Sequence, residues 1–312
     1  MEFEMGFATR DAYGEALAEL GADYPEIVVL DGDLAKSTKT HFFEKKYPER
    51  FYNIGIQEQN MVGIAAGLAA SGLVPFVSSF ACFLTSRAYD QIRVSVAYAR
   101  LPVKFVASHG GISGGEDGVT QQSVEDIALM AATPGMTVCC PADEHSTRAL
   151  VPQFMEIDGP CYMRTGRPAA PVIYDSHTEF VLGKAQVVCP GSDVTVVANG
   201  LLVAEALQAA DRLAADGVEV EVIDCHTVKP LDVETIVSSA KKTGAVVVAE
   251  EHQIWGGLGS AVACALSRNH PVPCRFVAIE DTYAESGPGY ELLKKYGLTS
   301  DAIVTKIRTL ID

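Results

Sequence analysis

Positive charge is scarce in this chain of 312 residues: 24 lysines and arginines stand against 40 aspartates and glutamates, a formal net charge of −16. A surface so acidic repels phosphate backbones, which excludes nucleic acid as a partner. Long apolar runs are missing as well. None reaches the roughly 20 residues a helix needs to span a bilayer, so no membrane association is expected. The first residues, Met1 to Asp11, hold no basic stretch followed by an apolar one. No secretory leader is therefore expected, and the cytoplasm is the expected location. The eight cysteines include no C-x-x-C pair, and most sit in apolar runs such as TVCCPA. They read as small buried hydrophobes in a reducing compartment. The seven histidines show no H-E-x-x-H spacing, and no metal site is expected on this chain.

What is present is a core and a rhythm. Hydrophobic residues make up 48% of the chain, enough for one large domain or two ordinary ones. Strand-like apolar runs fall at 27–31, 52–54, 74–79, 103–108, 137–140 and 161–164. Helical patterns lie between them, near 8–21, 57–71, 83–99, 123–132 and 143–157. Such alternation predicts a mostly parallel sheet with helices on both faces. The stretch 166–192 carries prolines, lacks a helical period and reads as a connection. The alternation then resumes: strands at 194–198, 219–224, 245–250 and 275–279, helices at 201–215, 232–242 and 259–268, and two short helices near 289–296 and 300–310. The expected fold class is α/β in two domains, each a mostly parallel sheet covered by helices.

The most telling stretch is 51–72, FYNIGIQEQNMVGIAAGLAASG, in which Glu58 stands in the first turn of a helix rich in Gly and Ala. A lone acid there fits a surface carboxylate favoured by the helix dipole. Buried, it needs a partner, because an unpaired charge away from water is costly. Phe76, Phe80 and Phe83 cluster where a strand meets the next helix. Phe76 reads as core; Phe80 and Phe83 lie beyond the strand end, where ligand crevices of open α/β sheets form, and suit a planar heteroaromatic ring. The loop 109–122, HGGISGGEDGVTQQ, has five glycines in fourteen residues, one imidazole at His109 and the adjacent acids Glu116 and Asp117. A long Gly-rich loop at a strand's carboxyl end is usually functional. Arg164 and Arg167, in YMRTGRP, are either surface arginines or phosphate readers. Asp31, Asp33 and Ser37 follow another strand but do not form a phosphate loop. Glu251-His252-Gln253 and WGGLGS open a helix whose glycines read as close packing rather than as an anion site.

The segments NIGIQEQNMVGIAAGLAASG, SSFACFLTSRAYDQIR, HGGISGGEDGVTQQSVEDIALM and YMRTGRP, in this order and at these spacings, resemble the C-terminal half of a transketolase. The resemblance covers nearly the whole chain. It implies a pyrimidine-binding domain over 1–172, a linker over 173–190 and a transketolase C-terminal domain over 191–312. It implies that Glu58 hydrogen-bonds a ring nitrogen of the aminopyrimidine of thiamine diphosphate, favouring the imino form that activates the cofactor, with Phe80 and Phe83 stacked on the ring. His109 and Asp117 then contact the sugar, Arg167 grips its phosphate and Ser37 assists. The family's diphosphate-binding domain, whose GDG…N motif holds Mg²⁺, has no counterpart in this sequence. The resemblance therefore implies a separately encoded N-terminal subunit that carries the diphosphate and Mg²⁺. A symmetric hetero-tetramer with two copies of each subunit is expected, the small-residue face of the 57–71 helix being one contact surface. The implied reaction is transfer of a two-carbon ketol unit between sugar phosphates, pentose phosphates by default.

Gln121 departs from the family pattern, which commonly has histidine there. An amide hydrogen-bonds but does not shuttle a proton near neutral pH, so an unusual donor or acceptor sugar is expected. Two alternatives share the layout: the β subunit of a 2-oxo-acid dehydrogenase, and a 1-deoxyxylulose-phosphate synthase-like enzyme, whose family also carries a string like RAYDQ. The GISGGEDG loop and Arg167 favour the transketolase reading.

Overall fold

Runs rich in Val, Ile and Phe form strands, and Ala- and Leu-rich stretches between them form helices, over the residues 1–311 that the computed structural model describes. The first part of the chain runs α1 (Thr9–Leu20), β1 (Ile27–Asp31), α2 (Ala35–Thr38), α3 (His41–Lys46), β2 (Phe51–Asn53), α4 (Glu58–Ala70), β3 (Val74–Phe80), α5 (Tyr89–Gln91), β4 (Lys104–Ser108), α6 (Asp126–Ala132), β5 (Thr137–Cys139), α7 (Glu144–Gln153) and β6 (Cys161–Arg164). The second runs β7 (Gln186–Cys189), β8 (Val194–Ala198), α8 (Leu202–Ala214), β9 (Val220–Asp224), β10 (Thr227–Lys229), α9 (Val233–Thr243), β11 (Val246–Gln253), α10 (Leu258–Asn269), β12 (Cys274–Ile279), α11 (Gly289–Lys295) and α12 (Ser300–Ile311).

The strands pair into a seven-stranded sheet, β10-β5-β6-β4-β3-β1-β2, and a five-stranded sheet, β12-β11-β8-β9-β7. Strands β1, β4, β8 and β9 are buried along their whole length, as strands covered on both faces must be. Pairing is parallel except at β10, antiparallel to β5, and at β7, antiparallel to β9. Both exceptions depart from the sequence reading. Strand β7 lies inside the segment expected as linker and forms an edge of the second sheet. Strand β10 comes from the second part of the chain and extends the first sheet. One apolar cluster spans the junction, taking in Val77, Phe105 and Tyr162 from the first part and Val197, Ile223 and Val248 from the second.

Local signals explain several helix ends. Asp143 caps α7, accepting from the Ser146 amide at 2.8 Å while its own amide donates to the Ser146 hydroxyl at 3.0 Å. Asp232 caps α9 through the Thr235 amide, and Gly244 closes that helix at φ +75°. The expected helix 83–99 is not uniform: short α5 stands between π-helical turns at Phe83–Arg87 and Ile92–Ala97. All eight cysteines are free. Cys139, Cys140, Cys161 and Cys225 are buried as expected, whereas Cys264 is exposed.

Strand order reverses direction between β1 and β3, and ligand crevices open at such points, at the strands' carboxyl ends. Register aligns those ends: Asp31 faces Ser78, Phe80 faces Ser108 and Ala107 faces Arg164. Every loop that leaves these ends carries one or more of the residues singled out above.

Candidate active site

The acidic end of the crevice starts at a turn. Gly55 sits at φ +78°, its amide donating to Asn53 Oδ1 at 2.9 Å, and the chain then enters α4 at Glu58. Glu58 is only 4% exposed. Its carboxylate accepts from Arg87 Nη1 at 2.9 Å, and Arg87 itself remains 47% exposed. The Arg87 guanidinium lies over the Phe83 ring, 4.0 Å from its centroid. Phe83 stacks on Phe80 at 5.5 Å, and Phe80 stacks on the His109 imidazole at 3.8 Å. Four planar groups therefore form one column, running from a buried acid to a buried imidazole. The π-helical turn at Phe83–Arg87 brings Phe83 and Arg87 to one face, a type of distortion common at functional sites.

The other end is cationic. His109 leaves β4 at φ +61°, a conformation uncommon outside glycine. Its Nδ1 shares a hydrogen bond with the Ser108 hydroxyl at 2.9 Å, and its Nε2 stands 3.6 Å from Asp117 Oδ2. Burial, reinforced by Arg10 and Arg167, pushes the imidazole down to about 3, so it is neutral at physiological pH. Arg167 donates to the Gly114 carbonyl at 2.7 Å and pairs with the exposed Glu116. Arg10 donates to the Ser37 carbonyl at 3.1 Å, which brings Ser37 into the group; its Nε makes no hydrogen bond and lies 3.9 Å from Asp11 Oδ2. Burial lowers the Arg10 guanidinium, and the Arg167 charge adds to this. Gln121 lies near the start of the aromatic turn: Cys82 Sγ donates to its carbonyl at 3.2 Å, and its side chain accepts from the Thr120 hydroxyl.

The structure thus gathers Ser37, His109, Asp117 and Arg167 at one end and Glu58, Phe80 and Phe83 at the other, while Gln121 meets Cys82, next to Phe83. Sequence reading missed two members. Arg10 looks like an ordinary residue of the first turn of α1. Arg87 lies within RAYDQ, but nothing local reveals that it meets Glu58.

Other sequence candidates serve the fold. Arg164, weighed above as a phosphate reader, is buried; its Nε donates to Asp126 Oδ2 at 2.9 Å, its Nη2 to the other carboxylate oxygen, and its Nη1 to the Glu251 carbonyl at 2.5 Å. All three of its nitrogens are thus engaged within the protein, and the side chain is buried rather than open to a ligand. Asp31 is buried and accepts from the Leu34 amide and the Thr38 and Thr40 hydroxyls, fixing the turn after β1. The start of α10 already holds an anion, the Glu250 carboxylate, which accepts from the Leu258 and Gly259 amides at 2.8 and 2.7 Å. No cluster of metal-ligating side chains exists among the described residues, and no helix among them is long and apolar enough to cross a membrane.

Fold and site together define the class: a two-domain α/β enzyme chain with an acid, an aromatic stack and a pair of cations at the carboxyl ends of a parallel sheet. Residues 5–172 match the family model for the pyrimidine binding domain of transketolase, and residues 183–303 the model for its C-terminal domain. The chain is 46% identical to the 6-deoxy-6-sulfo-D-fructose transketolase subunit SqwH of Clostridium sp. (strain MSTE9), covering 95% of this chain and 92% of that one. It is 44% identical to a putative transketolase C-terminal section of Methanocaldococcus jannaschii, covering 96% and 94%. Among solved structures it resembles a split gene transketolase, an inactive β4 tetramer, at 47% identity and TM-score 0.89 over 98% of both chains. This chain belongs to the transketolase family, as a transketolase-type β subunit. The dehydrogenase and synthase alternatives give way to that assignment, and the family uses thiamine diphosphate.

Proposed function

We propose that this chain supplies the pyrimidine half of a thiamine diphosphate site in a split transketolase that moves a two-carbon ketol unit between sugar phosphates. The carrying observation is Glu58: a carboxylate 4% exposed, at the start of a helix, paired with the half-exposed Arg87, whose guanidinium lies on the Phe83 ring. The guanidinium is planar, bears N–H donors, stacks on the ring and donates to the acid. A protonated aminopyrimidine offers the same features, so the residues present fit the group. When bound, thiamine diphosphate supplies the carbon nucleophile for cleaving and forming carbon–carbon bonds. Glu58 then accepts a hydrogen bond from the ring, and Phe80 and Phe83 orient it.

In this reading the far end receives the sugar phosphate. Arg167, with Arg10 beside it, faces the phosphate; in this structure the Glu116 carboxylate takes that place on Arg167. Neutral His109 and the Asp117 side chain exchange hydrogen bonds with sugar hydroxyls, and Ser37 and Gln121 line the approach. Gln121 offers an amide where the family commonly has a proton-carrying imidazole, which favours an unusual sugar over a standard pentose phosphate. The relative SqwH is named for a modified sugar, 6-deoxy-6-sulfo-D-fructose, which supports this reading. The diphosphate and Mg²⁺ belong to an N-terminal subunit, with two copies of each chain in a cytoplasmic hetero-tetramer. The domains divide at 172 and 191, with the linker's last residues recruited as an edge strand.

Co-expression with a transketolase N-terminal subunit tests this. Ketol transfer from a panel of ketose phosphates is expected only when both chains and thiamine diphosphate are present. Glu58→Gln is expected to reduce turnover at least about a hundredfold, the usual scale for losing a proton-handling group. Full turnover by the chain alone, or by the Glu58→Gln complex, would refute the reading.

A further inference from the structure

The loop that carries His109 and Asp117 is held from across the domain junction. The Ser113 amide donates to Glu251 Oε1 at 2.6 Å, and its hydroxyl to Oε2 at 3.2 Å. Glu251 is a buried residue of β11 in the second sheet. Gln122 Nε2 donates to the Ile112, Gly115 and Glu285 carbonyls at 3.2, 3.3 and 3.0 Å, tying the loop to itself and to the second domain. Gly289 and Gly118 mark two close approaches. A Cβ on Gly289 would stand 2.5 Å from the Ser113 carbonyl oxygen, and one on Gly118 would stand 2.4 Å from Ser286 Oγ. Backbone preference does not by itself select this shape, because glycine takes positive and negative φ about equally and His109 does not favour positive φ. His109, Gly111, Gly115 and Gly118 all lie at positive φ, between 61° and 79°. The cofactor end differs: among the described residues, no side-chain hydrogen bond or ion pair links Glu58, Phe80, Phe83 or Arg87 to the second domain.

We propose that Glu251 is a positioning residue: reaching from the second domain, it fixes Ser113 and so sets His109 and Asp117 for the substrate. The two halves of the site then have separate supports. The residues of the pyrimidine half make no side-chain hydrogen bond or ion pair to the second domain among the described residues, whereas the sugar half is clamped by it. This assigns the second domain a part in the reaction although none of its side chains touches the reacting atoms. Burial raises the Glu251 carboxyl, but Gln in its place still offers Ser113 an amide oxygen, so the clamp needs an acceptor rather than a charge. What the loop binds rests on the function proposed above; that Glu251 holds the loop does not.

Two readouts test the inference. In the full chain, hydrogen exchange is measured by residue. Glu251→Ala is expected to speed exchange of the amides at 110–118 by about tenfold or more, as loss of hydrogen bonds to a charged group implies, while α4 keeps its protection and Glu251→Gln restores the loop. Unchanged exchange at 110–118, or an equal rise in α4, overturns the proposal. In the assembled complex, Glu251→Ala is expected to raise the KM for the ketose phosphate about tenfold while thiamine diphosphate affinity stays within about twofold. A parallel loss of both would mean a merely structural role and also overturns it. If the wild-type complex transfers no ketol unit, the proposed function falls and the exchange experiment alone decides on Glu251. Should Glu251→Ala not fold, Glu251→Asp, one methylene short of Ser113, is expected to show the same pattern in weaker form.

Discussion

His109 shows how a residue's neighbours decide its chemistry. In water an imidazole gains its proton near pH 6.5. Here it is buried against Phe80, and Arg10 and Arg167 add positive potential, so protonation is pushed down to about 3. The sign for stability follows. The unfolded chain binds a proton at this residue between about pH 6.5 and 3 and the folded chain does not, so the contribution of His109 is full above 6.5 and is lost as pH falls. The prediction is a nuclear magnetic resonance titration in which the His109 ring signals stay constant from pH 8 to about 4.5. A His109 midpoint near 6.5 would contradict it. A neutral ring also confines the role proposed for this residue to exchanging hydrogen bonds with a sugar hydroxyl, and excludes that of a standing cation. His109 itself is legible in the sequence, because a Gly-rich loop at a strand end marks it. Its charge state is not, because Arg10 and Arg167 reach it from 99 positions before and 58 after in the chain.

At the scale of elements, the buried pair between β6 and α6 joins the sheet to a helix. Asp126 is fully buried; burial alone would raise its carboxyl, and Arg164 outweighs that and holds it below the usual range. Removing one partner strands the other charge away from water, which costs about 3–5 kcal/mol. Arg164→Met and Asp126→Leu are each expected to lower the unfolding free energy by amounts on that scale. The double variant is expected to lose clearly less than their sum, because the pair's own desolvation cost leaves with it. Denaturant unfolding of the four proteins checks this; additive losses would mean the two charges are independent. The same scale shows what the sequence could tell. Strands β1, β3, β4, β6, β8 and β9 and helices α1, α4 and α8 are long and periodic, and their positions follow from pattern alone. Helices α2 and α3, four and six residues long, are too short to display a period. Strands β7 and β10 form antiparallel edges with irregular register, so their partners define them rather than their own residues. Arg164 was ambiguous for the same reason: Asp126, which claims it, lies 38 positions away.

At the scale of the molecule, the domains meet through polar groups as well as through a shared apolar cluster. The Ile173 and Tyr174 amides both donate to Asp143 Oδ2 at 3.0 Å, anchoring the connector to the first domain. The Tyr174 hydroxyl donates to Asp224 Oδ2 at 2.7 Å, at the carboxyl end of β9 in the second. Among the described residues no cation pairs with Asp224, and its Oδ1 has no hydrogen-bond partner. Burial pushes its carboxyl up to about 7, Asp143 pushes the same way, and the Tyr174 hydroxyl offsets part of the shift. The unfolded chain ionises this carboxyl near 3.8 and the folded chain near 7. Stability from this group is therefore complete below 3.8, falls as pH rises towards 7 and is flat above. Each pH unit in which only the unfolded state is ionised removes about 1.4 kcal/mol at most. Asp224→Asn keeps an acceptor for Tyr174 and cannot ionise. Its stability relative to wild type is expected to climb between about pH 4 and 7, by a few kcal/mol at most, and then to level off. His109 and His226 titrate with the opposite sign but are present in both proteins, so they cancel in the difference. Denaturant unfolding of the two proteins at a series of pH values measures that difference directly. A flat difference would mean that Asp224 is already ionised at the junction, with an unseen partner neutralising it.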